Sequence, residues 1–373
     1  MLIHFTTVHP RSDTRIRIKQ VASLAGALEE SVALYVQDDK GNERDEARGI
    51  DVVDTGVPSG GRLARMTKGA WRMYRAVLDA RPSVAHFHDP ELIPIGMLLK
   101  LSGIKVIYDV HEDVPRQILG KHWLHPWIRR PVAVLVEGLE WSAAKLFDGI
   151  VAATPTIARR FPAQKTVIVQ NFPVLAELVL PQFTPFAARP THVAYVGGIT
   201  AARGAREMVK AIGRVKDDHV RLQLGGTFTP TVLEDEVCAT EGWSRVVAHG
   251  WMGREDIAEV LGNVRAGLVV LHPTKNYPDA LPVKMFEYMA AGLPVIASDF
   301  PLWRSIIDGA GCGLLVDPLD PEAIAEAIDW VNEHPQEAER MGQRGRAAVE
   351  DRFNWSHEER KLVALYKEMV TGQ

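Results

Sequence analysis

Residues 195–204 (YVGGITAARG) have the composition of an anion-binding turn. An apolar run leads into Gly197 and Gly198, and then Arg203 and a further glycine precede a segment with helical periodicity. Glycines let the backbone come close to an anion, and the amides at the start of a helix point toward it. Arg203 adds a cation that could pair with a diphosphate. The glycine spacing is not that of the dinucleotide fingerprint, and no Gly-Lys-Ser/Thr of a P-loop follows. The alternative is a plain glycine turn with a solvated arginine.

A second segment, residues 279–292 (DALPVKMFEYMAAG), predicts a short helix with a cation in its first turn. Pro282 suits the first helical position and Gly292 suits the stop at the C-terminal end. Lys284 opposes the helix dipole by about 0.3–1 kcal/mol, so a negative ligand at that end would explain its placement. The alternative is an ordinary surface pair between Lys284 and Glu287, three residues apart on the helix.

Polar clusters end two predicted strands in the first half of the chain. Residues 86–91 (HFHDPE) and 108–113 (YDVHED) each close an apolar run. The carboxyl ends of parallel strands meet at one edge of the sheet, so we expect the two clusters to lie together. Histidines beside carboxylates raise the question of a metal site, but no His-x-x-x-His run accompanies them, and we predict none. The alternative for His86 and His88 is that they only cap loops.

Two patches combine cations with aromatic rings. In the first patch, cations recur every three or four residues and therefore share one face of a predicted helix: Arg62, Arg65, Lys68, Arg72 and Arg75. The second patch, residues 121–130 (KHWLHPWIRR), holds Trp123, Trp127, Arg129 and Arg130. Such faces suit an anionic lipid surface or a lipid-pyrophosphate acceptor, and the alternative is a solvated basic face. No nucleic-acid recognition motif accompanies the charge, so we expect no nucleic-acid partner.

Short β-branched runs alternate with helical patterns, which predicts parallel sheets with crossover helices. The predicted strands are residues 2–8, 32–36, 84–87, 105–110, 149–152, 166–169, 192–196, 221–224, 244–248, 267–271, 294–297 and 313–316. The predicted helices include residues 15–28, 63–78, 207–215, 254–261, 283–291, 321–331, 336–349 and 357–370.

The fold class is therefore α/β, with two doubly wound, Rossmann-like domains and a ligand cleft expected between them. A length of 373 residues suits two domains. Four prolines and a lack of periodicity mark residues 172–190 as an interdomain linker. The first domain would then be residues 1–171, the second 191–354, and a last helical segment 355–373.

Composition places the chain among folded proteins of the cytoplasm. Hydrophobic residues make up 46% and charged residues 24%, as in folded globular proteins. The net charge of −4 does not indicate nucleic acid or a membrane as a partner. The two cysteines, Cys238 and Cys312, are far apart and have no metal-ligand spacing, which favours a reducing compartment. No run approaches the roughly 20 apolar residues that span a bilayer, and residues 1–8 lack the basic leader of a signal peptide.

The segment 279–292, with VIAS at 295–298 after it, resembles the donor-site signature of retaining glycosyltransferases of family four. Residues 249–250 (HG), residues 311–318 (GCGLLVDP) and the last helix, near Trp355, are also similar to that family. The resemblance covers nearly the whole chain and implies the GT-B fold. It also implies that the last helix crosses back to pack on the N-terminal domain.

The resemblance implies roles for individual residues. Asp279 and Glu287 correspond to the family's two acidic residues, eight positions apart. Glu287 would bind the nucleotide ribose, Asp279 would face the donor sugar, and Arg203 would hold the diphosphate. His111 matches the histidine that the family places beside the donor sugar.

Two departures from the family pattern affect the site. Gly198 stands where many relatives have an arginine, so Lys284 would supply the missing cation. Asp279 is shorter than the glutamate that is frequent at the first acidic position. The predicted catalytic residues are His111, Arg203, Lys284 and Asp279, and the predicted donor-binding residues are Gly197, Gly198, Arg203, Lys284 and Glu287.

The acceptor is expected on the N-terminal domain. Residues 8–15 (VHPRSDTR) follow the first strand and should open at the same sheet edge as the two polar clusters. The predicted acceptor-side residues are Asp13, Arg15, His88, Asp89 and Glu112.

The implied reaction is a retaining transfer of a hexose-type sugar from a UDP, GDP or dTDP donor. The acceptor would be a glycan or a lipid-linked glycan, in cell-surface polysaccharide biosynthesis, and neither a cofactor nor a metal would be required. One alternative is a nucleotide-sugar epimerase of the same architecture, which needs no acceptor. Another is a catalytically silent module that binds a nucleotide sugar or a glycan. A dehydrogenase is disfavoured, because no glycine-rich fingerprint follows the first strand.

Overall fold

The computed structural model describes residues 1–120, 124–177, 184–275 and 277–371. The chain divides into two compact units, each described by itself below. Unit 1 comprises Met1–Asn171 and Trp355–Gln373, and unit 2 comprises Phe172–Asn354. Trp123 of the second basic patch and residues 178–183 of the predicted linker lie outside the described residues.

Each unit is built on a sheet of parallel strands, to which unit 1 adds one antiparallel edge strand. Among the described residues, the sheet of unit 1 has the order β3-β4-β2-β1-β5-β6-β7-β8, and that of unit 2 has the order β11-β10-β9-β12-β13-β14. The strands are β1 (Leu2–Phe5), β2 (Val32–Val36), β3 (Glu43–Asp45), β4 (Ile50–Asp54), β5 (Val84–Phe87), β6 (Lys105–Val110), β7 (Gly149–Ala152), β8 (Thr166–Ile168), β9 (Val193–Val196), β10 (Leu222–Gly225), β11 (Val246–Gly250), β12 (Ala266–Val269), β13 (Val295–Ser298) and β14 (Gly313–Val316).

Helices follow most strands, as expected for doubly wound units. They are α1 (Ala22–Ala27), α2 (Gly61–Ala64), α3 (Ala70–Ala80), α4 (Ile93–Leu101), α5 (Val114–Gly120), α6 (Pro126–Leu146), α7 (Pro155–Ala158), α8 (Ala205–Ile212), α9 (Val232–Cys238), α10 (Arg254–Gly262), α11 (Val283–Ala290), α12 (Pro301–Ala310), α13 (Pro321–Glu333), α14 (Pro335–Asp351) and α15 (Trp355–Thr371). Two π-helical segments, Thr14–Val21 and Arg65–Gly69, precede α1 and α3.

The predicted α/β class and the predicted strands are confirmed, while β3 and β4 were missed. β3 is a short, mostly exposed edge strand, Glu-Arg-Asp, and it pairs antiparallel with β4. Such a strand carries no apolar run, so its sequence offers no strand signal. Pro282 is the N-cap of α11, one residue before the predicted helical position. Gly292 follows the helix with a φ of +69°, as a C-terminal glycine should.

The strand order in unit 1 reverses between β1 and β5. β1 lies parallel to β2 on one side and to β5 on the other, with His4 in register with His86. Successive side chains of a strand alternate between the two faces of the sheet. One face therefore carries Phe87 and Tyr108, whose rings stack at 4.7 Å in the apolar core. The other face carries the histidines, and the ends of β1, β5 and β6 lie side by side at the switch point.

Candidate active site

In unit 2, the loop after β9 is shaped by a glycine. Gly197 has a φ of +125°, a backbone conformation that L side chains rarely adopt. A Cβ at Gly197 would also lie 3.1 Å from Nζ of Lys284, so a side chain would crowd the ammonium. Glycine at position 197 therefore lets the backbone of this loop and the ammonium of Lys284 lie close together.

Lys284 is the cation at that point. Its Nζ is buried, lies 3.5 Å from the centroid of the Tyr195 ring, and has no hydrogen-bond partner among the described residues. Burial lowers the pKa of Lys284 well below its usual value, nearby Arg203 lowers it further, and Glu287 acts in the opposite direction. A buried ammonium without a partner is unfavourable, and a bound anion would remove that cost.

Arg203 lies beside Gly198. Its guanidinium donates to the carbonyl oxygen of Gly198 at 3.1 Å, and a Cβ at Gly198 would lie 2.7 Å from the same nitrogen. The hydroxyl of Tyr195 donates to that carbonyl at 2.8 Å and fixes the loop. The glycine thus leaves room for the guanidinium of Arg203 beside the loop.

Glu287 has a partner that the sequence did not reveal. Its side chain is 12% exposed, and it accepts a hydrogen bond at 2.8 Å from Arg254, the first residue of α10.

Asp279 is exposed in the loop before α11. That loop is held by the indole of buried Trp303, which donates to the carbonyl of Ala280 at 2.7 Å. The structure therefore groups Gly197, Gly198, Arg203, Lys284 and Glu287 and leaves Asp279 at the surface.

In unit 1, the polar face of the sheet converges on Asp109, a fully buried residue of β6. The Arg15 guanidinium donates two hydrogen bonds to the Asp109 carboxylate, at 2.7 and 3.2 Å, and the Gln20 amide donates one, at 2.6 Å. Burial alone would raise the pKa of Asp109, but Arg15, His111 and His88 outweigh it and hold that pKa well below its usual value. Asp109 is therefore an ionised carboxylate.

His111 and His88 both contact that carboxylate. Nε2 of His111 lies 2.7 Å from Oδ2 of Asp109, and Nδ1 of His88 lies 3.2 Å from the same oxygen. His88 is buried, whereas the His111 side chain is 14% exposed at the sheet edge. Of these two rings, only His111 has access to a ligand.

A second carboxylate, Asp89, organises the loop after β1. It accepts from the Thr6 hydroxyl at 2.8 Å and from the Thr7 amide at 2.6 Å. Nε2 of His9 lies 3.5 Å from its other oxygen, and Nδ1 of His9 lies 3.2 Å from Asp13. Burial opposes the charge of both members of the His9–Asp13 pair. Their contact nevertheless raises the pKa of His9 and lowers that of Asp13 to about 2.

The predicted acceptor-side residues divide into two groups. Arg15, His88 and Asp89 are buried and take part in the internal hydrogen bonds just described. Asp13 is part-buried and caps the first π-helix through the Ile16 amide at 2.9 Å, while Glu112 is exposed and contacts Gln117. Only Asp13 and Glu112 retain surface from which to contact an acceptor.

His86, His88 and Asp109 bring possible ligand atoms within 4.8 Å of one another. Apart from Nε2 of His86, which has no hydrogen-bond partner among the described residues, their nitrogen and oxygen atoms are already engaged. Nδ1 of His86 contacts the hydroxyl of Tyr366 at 2.8 Å, and His88 and Arg15 bond to Asp109. A metal ion at Asp109 would have to lie beside the Arg15 guanidinium, and the repulsion between the two charges disfavours that arrangement.

Sequence reasoning missed several polar residues of the buried face: His4, His9, Gln20, Thr6 and Tyr366. One of them left a signal, because His4 interrupts the apolar run of β1 (LIHF) as His86 interrupts that of β5 (VAHF). The pairing of those two histidines depends on strand register, which the sequence does not display.

Comparisons with known proteins agree with this architecture. Residues 19–171 match the family described as Glycosyltransferase Family 4, and residues 179–348 match Glycosyl transferases group 1. The MMP alpha-(1->4)-mannosyltransferase of Mycolicibacterium hassiacum is 23% identical over 320 residues, which are 80% of this chain and 74% of that protein.

Solved structures share the fold over the full length. Sucrose-phosphate synthase from Thermosynechococcus elongatus has a TM-score of 0.79 at 18% identity and covers 100% of this chain and 99% of its own. Anabaena HepE, solved in complex with UDP-glucose, has a TM-score of 0.75 at 13% identity and covers 99% of this chain and 100% of its own.

Two α/β units of this kind are the architecture of the GT-B fold. The two family matches together cover most of the chain, and the protein belongs to glycosyltransferase family four. Within the described residues, no helix has the length and apolarity that crossing a membrane would require.

Proposed function

We propose that this enzyme transfers a hexose-type sugar from a nucleotide-diphosphate donor to a glycan or lipid-linked acceptor, with retention of anomeric configuration, in cell-surface polysaccharide biosynthesis. The observation that carries the proposal is the buried ammonium of Lys284 beside Gly197 and Arg203, which has no hydrogen-bond partner among the described residues. That arrangement suits a diphosphate. HepE, which was solved with UDP-glucose, and the mannosyltransferase relative support a nucleotide-hexose donor.

In unit 2, each residue has one task. Lys284, Arg203 and the backbone of the Gly197–Gly198 loop hold the diphosphate. Glu287, held in place by Arg254, binds the ribose hydroxyls. Asp279 faces the donor sugar.

The bond between C1 of the sugar and the diphosphate oxygen breaks, and the diphosphate keeps the electron pair. Lys284 and Arg203 stabilise that developing charge, so we propose that no metal is needed. An acceptor hydroxyl forms the new bond to C1 from the same face, and its proton passes to an oxygen of the leaving phosphate. His111 orients the donor sugar, and Asp13 and Glu112 contact the acceptor. Arg15, His88 and Asp89 support them from the interior.

Ligand binding tests the donor site directly. We expect one of UDP, GDP and dTDP, or its sugar conjugate, to raise the melting temperature of the wild type, because a ligand at 100 times its Kd adds about 2.7 kcal/mol. Arg203→Ala should lose most of this shift, since it removes a diphosphate contact. Arg206→Ala is the matched control, because Arg206 pairs only with Glu236 at the surface of unit 2 among the described contacts.

An activity assay with and without acceptor separates the alternatives. Sugar transfer that requires acceptor supports the proposal. Interconversion of nucleotide sugars without acceptor would identify an epimerase, and binding without any turnover would identify a silent module. A full thermal shift in Arg203→Ala would contradict the assigned diphosphate site.

We also propose that unit 1 works against an anionic membrane surface. The predicted basic face is largely exposed, at Arg62, Lys68, Arg72 and Arg75, while Arg65 pairs with Glu91 at 2.9 Å. The structure adds an apolar face on α6 that sequence reasoning had not identified. The exposed fractions there are 83% for Trp127, 72% for Leu135 and 68% for Val134, and Ile128, Leu139 and Trp141 are also exposed.

Charge favours a lipid surface as the occupant of that face. Arg130 is exposed near Trp127, Arg129 donates to the backbone carbonyl of Leu124, and Nζ of Lys145 lies 3.3 Å from the centroid of the Trp141 ring. Each end of the apolar face therefore has a tryptophan with at least one cation beside it. Tryptophans and cations at the edges of an apolar helix face are typical of helices that lie in the lipid interface.

Vesicle sedimentation tests this contact. The double variant Trp127→Ser/Leu135→Ser should bind vesicles of phosphatidylglycerol and phosphatidylcholine about 100-fold more weakly than wild type, because two large apolar side chains no longer enter the lipid. Trp251→Ser, at an equally exposed tryptophan of unit 2, should bind like the wild type. Unchanged binding of the double variant, or dimers of the wild type that dissociate on this substitution, would contradict the membrane surface.

A further inference from the structure

Behind His111, unit 1 contains a continuous hydrogen-bonded series of buried polar side chains, and of these the proposed reaction has so far used only His88, as a support. The hydroxyl of Tyr366, on α15, lies 2.8 Å from Nδ1 of His86 and 2.8 Å from Nε2 of His4. Nδ1 of His4 lies 3.0 Å from Nε2 of His88, and Nδ1 of His88 lies 3.2 Å from Asp109. All five residues are buried.

The direction of every hydrogen bond follows from Asp109. An ionised carboxylate only accepts, so His88 carries its proton on Nδ1 and leaves Nε2 as an acceptor. His4 must then donate from Nδ1 and accept at Nε2. The Tyr366 hydroxyl donates to that nitrogen and accepts in turn from Nδ1 of His86.

The far end of this hydrogen-bond chain, at His86, agrees with the assigned directions. Nε2 of His86 is buried and has no partner among the described residues. In the assigned tautomer this atom is a lone pair rather than an N–H group, and a buried N–H is the group that native structures rarely leave unpaired. Burial also lowers the pKa of His4, His86 and His88 and raises that of Tyr366, so each group stays neutral.

We propose that Tyr366, His4 and His88 are positioning residues, whose one-directional hydrogen-bond chain keeps the proton of His111 on Nε2 and presents its Nδ1 for the reaction. The reason is geometric. Nδ1 of His88 and Nε2 of His111 lie 3.2 Å apart and both point at Oδ2 of Asp109. If His88 adopted the other tautomer, its Nδ1 would become an acceptor and would compete with Asp109 for the His111 proton.

The role assigned to His111 in turnover rests on the proposed function, but the tautomers can be measured without any substrate. In the wild-type protein with ¹⁵N-labelled histidine, long-range ¹H–¹⁵N correlation NMR should show His4, His86 and His88 as Nδ1–H tautomers and His111 as the Nε2–H tautomer. Finding His4 or His88 as Nε2–H, or doubly protonated at neutral pH, would overturn the chain even if the enzyme is an active glycosyltransferase.

Tyr366→Phe tests the far end of the chain. It removes one hydroxyl, and we expect a mixture of His88 tautomers together with a kcat about tenfold lower. The KM for the donor should stay near wild type, because the residues assigned to the nucleotide and its diphosphate lie in unit 2. Tyr108→Phe is the matched control. It removes a buried hydroxyl that bonds Glu140 at 3.2 Å on the other face of the same sheet, and it should leave the histidine spectrum and kcat unchanged. If the two variants had equal effects, Tyr366 would have only a structural role and the positioning role would be wrong.

A second pair of variants keeps the test informative if Tyr366→Phe does not fold. His88→Asn retains a donor at the Nδ1 position, whereas His88→Ala does not, so the asparagine variant should keep more activity. Equal loss in both would contradict the positioning role. Stoichiometric Zn²⁺ binding that shifts the His86 and His88 resonances together would show a metal site instead and would also overturn the proposal.

Discussion

Lys284→Ala should lower kcat by about 10²–10³-fold while the unliganded protein remains as stable as the wild type or becomes more stable. The loss in rate follows from the role proposed for Lys284, which stabilises the charge on the departing diphosphate. The stability result follows from the structure, because Nζ is buried without a hydrogen-bond partner among the described residues. Removing a buried charge that has no hydrogen-bond partner relieves a cost, which the contact with the Tyr195 ring offsets only in part.

The pH dependence of stability separates this lysine from a surface one. The folded-state pKa of Lys284 lies well below its usual value of 10.5, so between those two values the unfolded chain binds more protons than the folded chain. Stability of the unliganded wild type should therefore rise with pH across that window, and this contribution should vanish in Lys284→Ala. Urea midpoints between pH 7 and 10 measure it.

Lys210→Ala supplies the control, since Lys210 is exposed on α8 of the same unit. That variant should keep wild-type turnover and the wild-type pH slope. A wild-type rate in Lys284→Ala would remove the residue from the reaction, and a large loss of stability would mean that it pairs with an internal group.

Much of the fold was predictable because its signals are local. The short strand patterns of β5, β6 and β9 and the helix from Val283 to Ala290 appear in a few consecutive residues each. β4 (IDVVD) offered a weaker alternation and was missed together with its edge partner β3. Strand order and register depend on contacts between distant segments, which no local window contains.

The donor residues were also accessible from the sequence, since the glycine loop and the charged helix are contiguous motifs. Their partners were not. Arg254 reaches Glu287 from a helix 33 positions earlier, and the guanidinium of Arg203 occupies the space beside Gly198, where the sequence showed only a missing cation. Such pairings depend on how α10 and the loop pack against α11.

The buried histidine chain was the least predictable part. His4 and His86 interrupt apolar strands, which is a usable signal, but Tyr366 lies 280 positions from its partner His86. Arg15 and Gln20 both reach Asp109 because they lie five residues apart on a π-helix, where hydrogen bonds join residues i and i+5. Helical periodicity alone would not have placed them on one side.

Asp109→Asn should destabilise the protein by about 3–5 kcal/mol and abolish most of its activity. The substitution keeps the side chain's shape and removes its charge. The buried guanidinium of Arg15 then has no carboxylate, and one side-chain atom of the new asparagine becomes a donor facing the donors of Gln20, His88 and His111. Urea denaturation followed by far-UV circular dichroism measures the loss.

The acid side of the stability curve gives a second readout for Asp109. Its folded-state pKa lies well below the value of about 3.9 expected in an unfolded chain, so its contribution is complete above that value and disappears as pH falls through the folded pKa. The asparagine variant should lack this part of the acid transition.

Asp51→Asn is the control, because Asp51 pairs with Arg44 at 2.8 Å at the surface, where water and salt screen the charges. The urea midpoint of this variant should stay near wild type. Equal stability of Asp109→Asn and Asp51→Asn would mean that Arg15 and the histidines do not depend on this carboxylate, and the polar face of unit 1 would need a different explanation.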